Sequence, residues 1–79
     1  MSKQDKRLEA MRQNPRQVLF DEMESVLIAH GFVVRKASGS HRGYRFGSYV
    51  LTVARHGQFA HPQAVKDALQ ILDAISDDN

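Results

Sequence analysis

The sequence predicts an α+β chain folded as a two-layer sandwich, and three observations predict it. Apolar residues recur at three- and four-residue spacing between Val18 and His30, and again between Ala64 and Ile75, which lays one hydrophobic face along each of two helices. Between them lie three short runs rich in β-branched and aromatic residues, separated by turns of glycine and serine. A helix, a three-stranded antiparallel sheet and a second helix, preceded by an extra N-terminal helix, bury both stripes when the helices cover one face of the sheet and leave the other open.

The elements follow in order. Lys3 to Gln13 reads as a polar helix with a thin stripe of Leu8 and Met11, ended at Asn14-Pro15 because the residue before a proline is pushed out of the helical region. Residues 1–17 are therefore expected to be a loosely attached extension of a domain spanning 18–75. Leu19, Phe20, Met23, Val26 and Leu27 form the apolar face of the next helix. Asp21, Glu22 and Glu24 suit the positive end of its dipole, and His30-Gly31 is a fitting stop. Phe32 to Ala37 is the first strand, Ser38-Gly39-Ser40 a turn, and Arg42 to Phe46 the second strand. Gly47-Ser48 is a two-residue hairpin connection, and Tyr49 to Arg55 makes the third strand. His56 to His61 reads as irregular. Pro62 suits the first turn of the last helix, whose stripe of Ala64, Val65, Ala68, Leu69, Leu72 and Ile75 runs into a frayed acidic tail, 76–79. There are no internal repeats.

With 79 residues the chain has room for a single modest core, and an apolar share of 42% with 25% charged residues is that of a folded domain. It has no cysteine, which excludes a disulfide framework, a thiolate zinc site and a cysteine nucleophile. No apolar run is long enough to cross a bilayer and the N-terminus lacks the hydrophobic segment of a secretory signal, so a soluble cytoplasmic protein with no membrane partner is expected. The net charge of +2 hides an asymmetry. From Ser25 to Lys66 the chain carries Arg35, Lys36, Arg42, Arg45, Arg55 and Lys66 and neither aspartate nor glutamate, while Asp21, Glu22 and Glu24 precede the block and Asp67, Asp73, Asp77 and Asp78 follow it. A basic middle between acidic flanks favours a polyanionic partner; the alternative is a solvated basic pair of strands.

Strand alternation assigns the faces. Arg42, Tyr44 and Phe46 share the core side of the second strand, and Tyr49, Leu51 and Val53 that of the third, which directs His41, Arg45 and His56 to the open face. Within "GSHRGYRF", Gly39 allows a ligand backbone close approach and Ser40 can hydrogen-bond a phosphate oxygen. His41 can take and give a proton near neutrality. That combination suits metal-independent RNA cleavage, in which a base removes the ribose 2′-hydroxyl proton while cations balance the charge on the phosphate. Arg35, Lys36, Arg42, Arg45 and Arg55 are candidate phosphate contacts, Tyr44, Tyr49 or Phe59 could stack on bases, and His56 is a candidate second proton carrier. His61 reads as a cap-region residue and His30 as a helix-end cation. A zinc site among His41, His56 and His61 lacks cysteine and nearby acids, so neither metal nor cofactor is expected. The bland reading of the same stretch is a basic hairpin edge.

At these residues a family resemblance enters. "GFVVRKASGSHRGYRF", then "VLTVARHG" and a closing helix, resemble the HicA toxins of bacterial toxin–antitoxin systems over roughly Val18 to Ile75. The resemblance implies a double-stranded-RNA-binding-domain-like fold, an mRNA interferase whose catalytic histidine maps onto His41, and a HicB-type antitoxin that covers that histidine. The sequence departs from the pattern where Arg42-Gly43 follows His41 and where Ala54 stands at a place often held by proline. Two functions stay open from sequence: an endoribonuclease with His41 as acid/base, or a non-catalytic module of the same fold that binds RNA or a protein partner.

Overall fold

The computed structural model describes residues 3–77. Helix α1 (Lys3–Gln13) and a short 3-10 turn (Pro15–Gln17) lead into α2 (Phe20–Ala29). Strands β1 (Val33–Ser38), β2 (His41–Phe46), β3 (Tyr49–His56) and β4 (Phe59–Ala60) follow, and α3 (Pro62–Asp77) closes the chain. The strands form one antiparallel sheet in the order β1-β2-β3-β4. The fold is thus α+β as expected, with a fourth strand in place of the irregular segment 56–61. Only Phe59 and Ala60 enter the ladder, opposite His56 and Arg55, and two residues are too few to show a period in sequence.

That short strand also corrects the start of α2. Ala60 N–H donates to the carbonyl of Val18 (2.8 Å), Phe20 N–H donates to that of Gln58 (2.9 Å), and Leu19 bridges to Phe59. With their backbone groups committed to β4, Val18 and Leu19 are extended and the helix begins at Phe20 rather than Val18. At its other end the His30 ring donates from Nδ1 to the carbonyl of Val26 (2.8 Å). Gly31 then turns the chain at φ +101°, and a Cβ there would lie 2.8 Å from the Phe46 ring, so no other residue makes the turn without displacing that ring.

The core is one cluster. Phe20, Met23, Val26 and Leu27 of α2 and Ala64, Val65, Ala68 and Leu72 of α3 are buried with Phe32, Tyr44, Leu51 and Val53 of the sheet side. Register explains the choice: Tyr44 pairs with Leu51 and Arg42 with Val53, so one face of β2 and β3 meets the helices. The opposite face carries His41, Gly43 and Arg45 against Ala54, Thr52 and Val50, and it is open, with Val50 52% exposed. The β2–β3 register is unbroken, so the alternation holds across both strands. The irregularity lies instead in β1, between Val34 and Lys36, where Arg35 is left without a partner residue.

The N-terminal helix is not a loose appendage. Met11 is 2% exposed within the core, Arg12 forms a two-pronged ion pair with Asp73 of α3, and Arg7 donates to Ser25 Oγ (2.8 Å). The Arg12 hydrogen bond holds the Asp73 carboxyl below its ordinary range. A thin apolar stripe concealed this attachment, because one buried methionine and contacts 61 residues apart leave no local trace. At the other end Ser76 and Asp77 belong to α3 rather than to a frayed tail; Asp78 and Asn79 lie outside the described residues.

Candidate nucleic-acid interface

The β1–β2 hairpin presents His41. Gly39 takes φ +56°, the left-handed region a tight two-residue turn requires, with open space where a side chain would be. Arg55 N–H donates to the Ser40 carbonyl (2.7 Å), which ties the turn to the far end of β3. His41 therefore begins β2 exposed, between Ser38 on one neighbour and Ala54 on the other.

Two grooves meet at this residue. One of about 600 Å³ runs over the open face, with Arg35, Lys36 and Ser38 of β1 on one wall, Val50 and Thr52 of β3 on the other, and His41 and Gly43 between them. Gly43 keeps the floor low because it has no side chain. The second, of about 270 Å³, lies between Ala54 and the first turns of α3, where His61, Gln63, Ala64 and Asp67 face His41 and Thr52. His41 and Thr52 line both. The larger groove is walled by two cations and no acid, whereas the only charged carboxylate among these lining residues is Asp67 in the smaller one.

The residues singled out from sequence divide between the two faces of the sheet. Gly39 and Ser40 form the turn, and Arg35 and Lys36 join His41 in the large groove. Arg45 shares the open face but lines neither groove, and its Nε donates to the Gly47 carbonyl (2.9 Å). Arg42 and Arg55, expected as phosphate contacts, line neither groove: each lies an odd number of positions from the open-face set and so faces the helices. Arg42 donates to both carboxylate oxygens of Glu24 (2.8 and 2.9 Å) and lies 5.4 Å from the Phe20 ring centroid; Arg55 lies 5.0 Å from the same centroid and donates from Nε to the Gly57 carbonyl (3.0 Å). The Glu24 hydrogen bond raises the Arg42 guanidinium further above its ordinary value.

His56, expected beside His41, lines neither groove; its ring meets that of His61 edge-on, with centroids 4.8 Å apart. The imidazole in the second groove is His61. Its Nδ1 accepts the Gln63 N–H (3.0 Å), so it caps α3 as the sequence suggests and in the neutral ring the proton sits on Nε2. What the sequence could not show is that His61 N–H donates to the Ala54 carbonyl (2.9 Å), which sets the start of α3 beside the strand pair that carries His41.

Tyr44 is removed from the list of stacking residues, being 1% exposed in the core. Burial, reinforced by the negative charge of Glu24, pushes its phenol well above the ordinary tyrosine range. A group whose value is raised on folding stabilises fully below its unfolded value and loses that contribution as pH rises beyond it. Stability is therefore expected to fall above about pH 10, and Tyr44→Phe to flatten that fall. Urea midpoints measured from pH 8 to pH 11 check this; identical pH dependence in the two proteins would assign the alkaline loss elsewhere.

Among the described residues no group of three histidine, aspartate or glutamate side chains is placed to hold a metal ion, and no helix is long and apolar enough to cross a membrane. The open face thus combines an exposed imidazole, two cations, hydroxyls at Ser38 and Thr52, and a groove of about 600 Å³. This arrangement can hold a phosphodiester beside a proton carrier. No family model, no curated protein and no solved structure matches this chain.

Proposed function

We propose that the chain is an mRNA-cleaving endoribonuclease of the HicA toxin kind, with a double-stranded-RNA-binding-domain-like arrangement of helices on its sheet, acting in the cytoplasm and restrained by a HicB-type antitoxin. The observation that carries this reading is the position of His41, exposed where a cation-walled groove meets a second groove, with Arg35 and Lys36 on the same face. In this reaction His41 takes the proton of a ribose 2′-hydroxyl. The oxygen attacks the adjacent phosphorus, the bond to the 5′-oxygen breaks, and the leaving oxygen takes up a proton, so the products are a 2′,3′-cyclic phosphate and a 5′-hydroxyl. Arg35 and Lys36 offset the charge that builds on the phosphate, and a positioned general base contributes about a hundred- to ten-thousandfold.

Incubation of the purified chain with end-labelled mRNA in the presence of a chelator tests this. Fragments ending in cyclic phosphate are the expected result. Salt-sensitive binding without fragments would favour the non-catalytic module, and failure to bind RNA at low salt would remove both.

A further inference from the structure

The residue that precedes α3 continues the sheet. Arg55 pairs with Ala60, and one step further along that ladder the His61 N–H donates to the Ala54 carbonyl (2.9 Å), so His61 stands opposite Ala54. On its other edge Ala54 pairs with His41. His41, Ala54 and His61 form one row across the strands, and residues directly opposite one another project from the same side. His56 gives the side of His61 independently: it lies two positions beyond Ala54 on β3, hence on the open face, and its ring meets that of His61 with centroids 4.8 Å apart. His41 and His61 thus flank the methyl group of Ala54, two strand spacings or about 10 Å apart at Cα, and all of this row lines the smaller groove.

The two imidazoles are suited to different work. His41 is exposed and can take a proton. The ring of His61 is fixed instead, because Nδ1 accepts the Gln63 N–H (3.0 Å) as the N-cap bond of α3, which leaves the ring's own N–H on Nε2. It is a donor with a set position. Helix α3 begins at Pro62, so the positive end of its dipole falls at the same spot, and the carboxylate of this groove, Asp67, already accepts from Gln63 Nε2 (3.0 Å).

We propose that His61 is a second catalytic residue, donating Nε2–H to a non-bridging oxygen of the phosphate whose neighbouring 2′-hydroxyl His41 deprotonates; the proposal rests on the RNA-cleaving reading. The scissile phosphate then lies over Ala54 between the rings, with Lys36 on the far, β1 side of His41. As the 2′-oxygen bonds to phosphorus and the bond to the 5′-oxygen breaks, negative charge grows on the non-bridging oxygens, and a donor fixed in advance stabilises it without reorganising. His61 transfers no proton. The 5′-oxygen takes its proton from water, and His41 returns to solvent the one it took.

Two substitutions separate this role from the cap. In His61→Asn the side-chain oxygen can still accept the Gln63 N–H, since asparagine is a favoured N-cap, but no N–H reaches as far as Nε2. In His61→Gln an amide N–H recovers that reach while the cap is weakened. His61→Asn is expected to lower kcat on end-labelled mRNA about a hundred- to a thousandfold, with KM little changed and the thermal melt retained. His61→Gln is expected to cleave about tenfold or more faster than His61→Asn despite a lower melt. A residue that only caps the helix gives the reverse order. His61→Asn at the wild-type rate, or His61→Gln no faster than His61→Asn, would overturn the proposal. If the wild type cleaves no RNA, the nuclease reading fails by itself, and a 2′-O-methyl RNA 12-mer, which has no free 2′-hydroxyl, tests the site. Imidazole NMR resonances of His41 and His61 that shift together on titration retain the paired-ring phosphate site, and a shift of His41 alone, or of neither, rejects it.

Discussion

His41→Ala is expected to lower mRNA cleavage by about a hundred- to ten-thousandfold and to abolish growth arrest on expression, with no loss of fold. The reasons are local. His41 is exposed at the start of β2, outside the buried cluster, so its removal deletes neither core area nor a hydrogen bond that holds the hairpin. The turn is tied instead by Arg55 N–H to the Ser40 carbonyl, which the substitution leaves in place. The paired measurements are a single-turnover cleavage rate and a thermal melt. A variant with wild-type cleavage would take His41 out of the chemistry. A variant that unfolds would show that the imidazole is structural and leave the rate uninterpretable, which is why Arg35→Ala belongs beside it: it removes a groove cation from a residue unpaired in the β1 bulge, and slower cleavage with an unchanged melt is the result expected of it.

The largest effect on stability is expected from Leu27→Ala. Leu27 is fully buried beneath the sheet, and shortening it leaves a cavity where α2 meets the core, at a cost of about 2–5 kcal/mol. A domain of this size has on the order of 4–12 kcal/mol in total, so a large part of its stability goes with one side chain. The neighbouring residue is the control. Ile28 is 51% exposed, and Ile28→Ala is expected to change stability by no more than about 0.5 kcal/mol. Urea denaturation of the pair measures the contrast, and equal midpoints would mean that α2 presents a different face to the sheet.

The fold was legible where periodicity was long. Met23, Val26 and Leu27, and Ala64, Val65, Ala68 and Leu72, stand in the core as their spacing requires, and strand alternation correctly divided His41 and Val50 from Tyr44 and Leu51. What escaped was non-local. The two residues of β4 carry no period, and the anchorage of α1 depends on Met11, Arg7 and Arg12 reaching partners far along the chain. The candidate site divides the same way. His41, Arg35 and Lys36 were visible as a basic run with one histidine. Arg42 and Arg55 carry the same charge in sequence, but alternation, once applied to them, puts both on the Phe20 side, where Glu24 engages the first. His61 was legible as a cap, but its nearness to His41, like that of Asp67, is set by where α3 begins and not by neighbours in the chain.

The sheet is a plain meander, so each strand meets its predecessor across a two-residue connection and the entropic cost of bringing them together is small. The distant closures are of another order: Val18 to Phe20 laid along β4, and α1 clasped to α3 through Arg12 and Asp73. Both join the first third of the chain to its last. Assembly is therefore expected to zip outward from the hairpins and to seal at the ends, and a pull applied to the two termini would spring that clasp while the meander was still intact.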